Sequence, residues 1–324
     1  MRPVFEKTLR GSRAFKLVAK DGEGKGGHAY MIISPDDDTV RDFFTLVAAR
    51  MYCETGDACM RCRGCRTTLD GNNPDAFFVN PKCERLKVQD VKDLISEVSI
   101  KALSGVKTFF VMRADLMAPD AQNKLLKTLE EPPEGVVIFL GVANEAGMLD
   151  TVKSRCRKIY LDVFDRETVY EALLGAGCDA ESAAVAASCS EGQLGKALGI
   201  ARSPEYGAHY SDALTMLERL KKSRDILSAE LVPSLKADAG EFLKVLAVVV
   251  RDVIAAKRGD PLFFGAEITS RIESIAQGFS LRALALTENA INRAQEKLSF
   301  TVNQTAVEDS LLFDILEVKH KWQS

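Results

Sequence analysis

The chain has 324 residues, a formal net charge of −3 and 46% hydrophobic residues, as expected of an ordinary soluble protein of two or three domains. That balance excludes a globally basic nucleic-acid or membrane-surface binder, so any DNA contact must come from a local patch or from partner chains. The N-terminus MRPVFEKTLRGSRAFKLVAKDGEG is too charged for a signal peptide, and the longest apolar run, Val245 to Val250 with its flanks, is too short for a bilayer; the expected compartment is the cytoplasm, with no membrane partner.

In chain order, Phe5, Leu9, Phe15 and Val18 give a loose helical face. After the Gly-rich loop Asp21 to Gly27, His28 to Ile33 reads as a buried strand. Ser34-Pro35-Asp36-Asp37-Asp38 is a turn, in which Asp36 or Asp37 is suited to cap the next helix through a side-chain oxygen. That helix carries Val40, Phe43, Phe44, Val47, Ala48 and Met51 on one face.

Four of the eight cysteines crowd into Cys53-x5-Cys59-x2-Cys62-x2-Cys65. In a reducing compartment such clustering favours metal over disulfides. Four thiolates suit a closed, structural Zn²⁺ site over residues 53–66, with no open position for catalysis. Arg61, Arg63 and Arg66 offset its negative charge. Cys83 is the reserve ligand should Cys53 point away, and four unrelated free thiols are the plain alternative.

Lys87 to Val98 reads as an amphipathic helix and Thr108 to Met112 as a buried strand. The stretch Asp120 to Cys156 then reads helix, stop, strand, short helix, sharp end. Ala121, Leu125, Leu126 and Leu129 share a face, and Pro132-Pro133 stops that helix. Val136 to Val142 is a continuous apolar run, the pattern of a parallel strand covered on both sides. A short helix over residues 146–153 ends at Ser154-Arg155-Cys156. Short helices follow from Asp165 to about Ala201, with RSPEYG (202–207) as a linker. Beyond it, helices carry Leu214 and Leu217; Phe242, Val245, Leu246, Val249 and Val253; Leu284, Ile291, Ala294 and Leu298; and Val307, Leu311, Leu312 and Ile315, the last capped by Asn303.

LLKTLEEPP, a buried strand and then SRC, in that order and spacing, resemble the clamp-loader branch of the AAA+ ATPases. The resemblance extends over most of the chain. It implies a degenerate P-loop AAA+ α/β domain with a zinc insertion (1–161), a small helical lid (162–205) and an all-α C-terminal collar (206–324). The family's GPxGxGKT loop falls without gaps on Ser34 to Arg41. Its glycine positions become Ser34, Asp37 and Thr39, its lysine Val40 and its Ser/Thr Arg41. Three aspartates stand where phosphates would bind, a repulsive arrangement; read plainly, the segment is a solvated turn. The family's Mg²⁺-supporting Asp and catalytic Glu fall on Met112 and Arg113, with Asp115 out of register, and the polar sensor falls on Val142 or Ala143. Lys196, near the second sensor position, reads as a solvated lysine.

These losses imply that the chain neither binds nor hydrolyses ATP by the family mechanism. Arg155 of the SRC motif, with Ser154 and Cys156 beside it, is kept. The resemblance implies an arginine finger acting in trans on ATP held by a neighbouring subunit. The plain alternative is that Arg155 pairs with a local carboxylate or caps its helix. The implied partners are the gamma/tau and delta subunits of the DNA polymerase III clamp loader, with the sliding clamp and primed DNA engaged through the complex. A motor with an unorthodox nucleotide site and a zinc-bearing interaction module are the alternatives.

Overall fold

The computed structural model describes residues 3–21, 27–226, 232–260, 262, 266–300 and 303–322. The chain divides into two units: Met1–Phe164 with Gln193–Lys196, and Asp165–Gly192 with Ala197–Ser324.

The first unit is an α/β domain. Helices α1 (Glu6–Gly11) and α2 (Arg13–Asp21) lead into β1 (Ala29–Ile33) and α3 (Asp37–Met51). There follow α4 (Arg63–Leu69), β2 (Ala76–Val79), α5 (Val88–Val98), β3 (Lys107–Val111), α6 (Pro119–Glu130), β4 (Val136–Val142), α7 (Asp150–Lys153) and β5 (Arg157–Tyr160). The five strands form one sheet in the order β2-β3-β4-β1-β5, all paired in parallel. Alternate residues serve opposite faces. Met31, Phe109, Val111, Ile138 and Leu140 join Leu94 of α5 and Leu125 and Leu129 of α6 in one core. On the other face Tyr30, Phe139, Phe110 and Phe78 stack in register across four strands, each neighbouring pair 5.0 Å apart, and Phe44 of α3 leans on Phe110 and Phe139. Gly141 sits where any Cβ would press on Val40 and Phe44, so its lack of a side chain lets α3 lie close to β4.

The expected strand Val136 to Val142 is found at those bounds, α6 stops at the prolines as read, and α3 is buried nearly all round rather than along one face. The edge strands β2 and β5 and helix α4 were not expected. In β5 only Ile159 is buried among charged and exposed neighbours, so its sequence carries no strand signal.

The second unit is helical. It holds α8 (Arg166–Gly175) and α9 (Ala180–Cys189), while α10 (Leu194–Arg202) opens in the stretch grouped with the first unit. Next come α11 (Pro204–Arg219), α12 (Ser223–Ile226), α13 (Pro233–Ala237), α14 (Ala239–Arg258), α15 (Ala266–Gln277), α16 (Leu281–Ser299) and α17 (Gln304–Lys321). The linker expected at 202–207 is corrected: residues 204–207 open α11, with Pro204 in the first turn, where its missing N–H leaves no bond unmade. The apolar face read on 242–253 becomes the buried spine of α14, and Asn303 caps α17 by accepting the Ala306 N–H. Buried in α14, Asp252 accepts from Arg166 at 2.5 Å and Tyr210 at 2.8 Å. Burial pushes its carboxyl up, against the pull of Arg166. Among the described residues no helix is long and apolar enough to cross a membrane.

Candidate functional site

The turn after β1 lies at the carboxyl end of the sheet. There the order β4-β1-β5 places a crevice at a switch point, because β1 leads away to one side and β4 returns across it to β5. Ser34 extends the ladder by donating its N–H to Val142 O at 3.0 Å, and its hydroxyl accepts the Asp36 N–H at 3.2 Å. Asp36 caps α3. One carboxylate oxygen accepts the Thr39 N–H at 3.2 Å; the other accepts the Thr39 hydroxyl at 2.5 Å and the Gly195 N–H at 2.7 Å. The Lys196 N–H approaches that same oxygen at 3.4 Å, and Gly195 also donates to Thr39 Oγ1 at 3.0 Å.

A helix N-terminus offers unpaired N–H groups and the positive end of its dipole, the features that bind phosphates in working P-loops. Here the chain's own carboxylate takes them. The expectation of a solvated turn is therefore corrected for Asp36, which is only 7% exposed.

The flanking aspartates have cationic partners. Asp37 pairs with Arg113 Nη1 at 3.2 Å and Asp38 pairs with Arg41. Arg41 also donates to Pro81 O at 3.1 Å and approaches Cys83 Sγ at 3.7 Å. Val40, at the expected lysine position, is buried. Past β3, Met112 is buried, and Arg113, in the left-handed region at φ 53°, forks onto Asp115 at 3.2 and 3.1 Å. Those bonds hold the Arg113 guanidinium above its usual range, against the opposing effect of burial. Asp115 also accepts the Ala143 N–H at 3.2 Å. Thus a thioether and a guanidinium occupy the places read for the acidic pair, and apolar residues occupy the sensor position. Lys196 is exposed.

At the end of α7 the Ser154 hydroxyl donates to Thr151 O at 3.0 Å. Arg155 donates from Nε to Glu130 Oε1 at 2.6 Å and from Nη1 to Thr151 O at 2.7 Å, with its side chain 32% exposed. Both plain roles read for it, carboxylate pairing and helix-end capping, are therefore present in this chain. Cys156 lies in the core, where burial pushes its thiol up to about 12 and leaves it unreactive.

The four clustered cysteines converge, with all four sulfurs within 4.8 Å of one another. A tetrahedral Zn²⁺ with ligands at about 2.3 Å holds its sulfurs about 3.8 Å apart, so a small contraction suffices. Each sulfur but the last is met by a later backbone N–H: Cys59 to Cys53 at 3.3 Å, Cys62 to Cys59 at 3.4 Å and Cys65 to Cys62 at 3.3 Å. Burial pushes the Cys53 thiol up, but the Cys59 N–H and Thr55 bonds outweigh it and bring the thiol down to about 5. The N–H groups of Arg61 and Cys62 lower that of Cys59. Burial, followed by its bond to Cys62, raises Cys65. These residues fit a metal site of four thiolates. Cys53 belongs to the group and Cys83 does not, so the reserve ligand is not needed.

Sequence reasoning missed Gly195, Asp115 and Glu130 as partners of these sites. Only the LEEPP context of Glu130, in the same LLKTLEEPP-to-SRC pattern 25 residues before Arg155, held any signal.

A parallel β2-β3-β4-β1-β5 sheet, with a helix opening after its inner strand β1 and an arginine ending α7 before the edge strand, makes this an AAA+ α/β protein followed by helices. The family model described as DNA polymerase III, delta subunit, matches residues 13–165. The Bacillus subtilis DNA polymerase III subunit delta' is 25% identical over 94% of this chain and 96% of its own length. The Escherichia coli subunit delta' is 32% identical over 50% of this chain and 47% of its own, and the E. coli subunit tau 30% identical over 45% and 23%. A solved gamma subunit-related protein of Thermotoga maritima covers 95% of this chain and 99% of its own at 17% identity and a TM-score of 0.42, a likeness too loose to argue from. Over nearly its whole length the chain is thus similar to DNA polymerase III delta' subunits, and over residues 13–165 it matches the delta-subunit family model.

Proposed function

We propose that this chain is a non-hydrolysing member of a DNA polymerase III clamp loader. It holds the loader ring together and supplies Arg155 in trans to ATP bound on a neighbouring gamma/tau-type motor, while the ring opens a sliding clamp and closes it around primed DNA. The carrying observation is the Asp36 carboxylate on the N-terminus of α3, where a phosphate would lie. A nucleotide would have to displace that bond set and sit among Asp37 and Asp38 without a lysine. Arg155 has the planar guanidinium suited to a transferring phosphoryl group. In the complex it would exchange Glu130 for the neighbour's phosphate. Zn²⁺ on Cys53, Cys59, Cys62 and Cys65 braces the first unit, and residues 162–205 and 206–324 act as lid and collar.

The 30% identity to a tau subunit favours a second reading, a motor in its own right. Calorimetric titration of the chain with Mg²⁺ and ATP separates the two: micromolar binding would sink the non-hydrolysing reading. The trans role is tested by clamp- and DNA-stimulated ATP hydrolysis in a reconstituted loader. Arg155→Ala should lower the rate with assembly intact; an unchanged rate would make Arg155 structural.

A further inference from the structure

We propose that Asp36 is a built-in anion that joins two helix N-termini, so that this turn is held in place without any outside anion. Helix α3 spans 15 residues and α10 spans 9, and the opening turns of both meet at one carboxylate. Thr39 supplies an N–H and a hydroxyl from α3; Gly195 and Lys196 supply N–H groups from the first turn of α10. Each helix alone would leave these donors to water. Their dipole ends repel each other unless negative charge stands between them, and a carboxylate supplies it.

The surroundings are built for this one group. A Cβ on Gly195 would run into the Asp36 carboxylate and Asp38, so the backbone of α10 approaches as only glycine allows. Thr39 is 3% exposed and its hydroxyl serves both sides, donating to Asp36 and accepting from Gly195. Asp36 lies 159 residues from Gly195 in sequence, so the bond fastens a distant segment rather than closing a local turn. Asp36 is thus a positioning residue, and the site is an oxyanion cradle whose occupant is covalently attached.

Two variants of the full chain test this by amide hydrogen exchange at Gly195 and Lys196. In Asp36→Asn one oxygen still caps α3, but the amide NH₂ replaces the second acceptor. Protection at Gly195 and Lys196 should fall roughly tenfold or more, the scale of a charge-assisted bond, while the rest of the sheet is unchanged. In Asp36→Gly the cradle is emptied. Sodium formate should restore protection there beyond what sodium chloride does at matched ionic strength, with no such gain in the unsubstituted chain. Wild-type protection in Asp36→Asn, or formate acting no better than chloride, would overturn the proposal. If Asp36→Gly does not fold, Asp36→Asn decides alone.

Discussion

Two ends of the same sheet have fared differently. After β1, the charged and hydroxyl side chains at the positions read for nucleotide chemistry bond to one another or to near neighbours: Asp36 with Thr39 and Gly195, Asp37 with Arg113, Arg113 with Asp115, Asp38 with Arg41. Before β5, the Ser-Arg-Cys turn is whole, yet its arginine pairs with one carboxylate, Glu130, and otherwise meets only the Thr151 carbonyl and, at 3.4 Å, the Ser154 hydroxyl, with a third of its surface open. The first end has become self-sufficient. The second keeps a cation that can be released at little cost, because a half-exposed ion pair contributes about 0–1 kcal/mol. One end is thus satisfied internally, and the other leaves a charged group loosely held.

The sharpest way to break this contrast is Arg155→Ala. At the one site it would serve, the hydrolysis rate should drop by about 10³–10⁵, diluted by the other sites of the loader, with no change in the melting temperature of the isolated chain. A rate unchanged beside a lowered melting temperature would make the two ends alike. Next comes the cysteine cluster. Native protein should carry about one zinc per chain by metal analysis, and Cys62→Ser should release it and cost several kcal/mol in denaturant unfolding, since structural metal binding is folding energy. Metal-free native protein would refute the site.

A smaller effect is expected from Arg113→Ala, which strips Asp37 and the inward-facing Asp115 carboxylate of their shared partner. A loss of about 1–3 kcal/mol with no gain of ATP binding would show the network to be structural. The smallest is a control at the other edge of the sheet. Asp75 accepts N–H bonds from Leu103 at 3.0 Å and Ser104 at 2.6 Å and the Ser104 hydroxyl at 2.7 Å. Burial pushes its carboxyl up, but those bonds, Ser104 foremost, and Lys107 outweigh it and hold the carboxyl below its usual range. The folded chain thus takes up that proton less readily than the unfolded one. This stability is present above about pH 4 and is lost as pH falls through the depressed value. Asp75→Asn should cost about 1 kcal/mol at neutral pH and flatten the acid limb of the pH–stability curve.

Much of this could be read from the sequence because it is local. Pro132-Pro133 ends α6, Val136–Val142 is apolar without alternation, Asn303 precedes its helix, and four cysteines at short spacing can only be neighbours. The departure of Ser34 to Arg41 from the P-loop pattern was legible by register alone. Why that turn is compact was not, because Asp36 and Gly195 are far apart in sequence and neither residue hints at the other. Edge strands escaped for a related reason: Arg157–Tyr160 is strand only because β1 offers it a free edge. The charged residues of β5 face outward, where no periodicity requires them to be apolar.

The position of β1 inside the sheet also sets an order of events at the ribosome. Its neighbours are β4 and β5, so a strand completed at Ile33 waits for a partner completed at Val142. At usual synthesis rates that wait lasts roughly 5–20 s. During it, β2 and β3 can pair while the all-apolar AYMII and the aromatic side of α3 have no sheet to close on. An apolar strand without a partner is an aggregation hazard during that interval, and the emergence of β4 gives it its first neighbour.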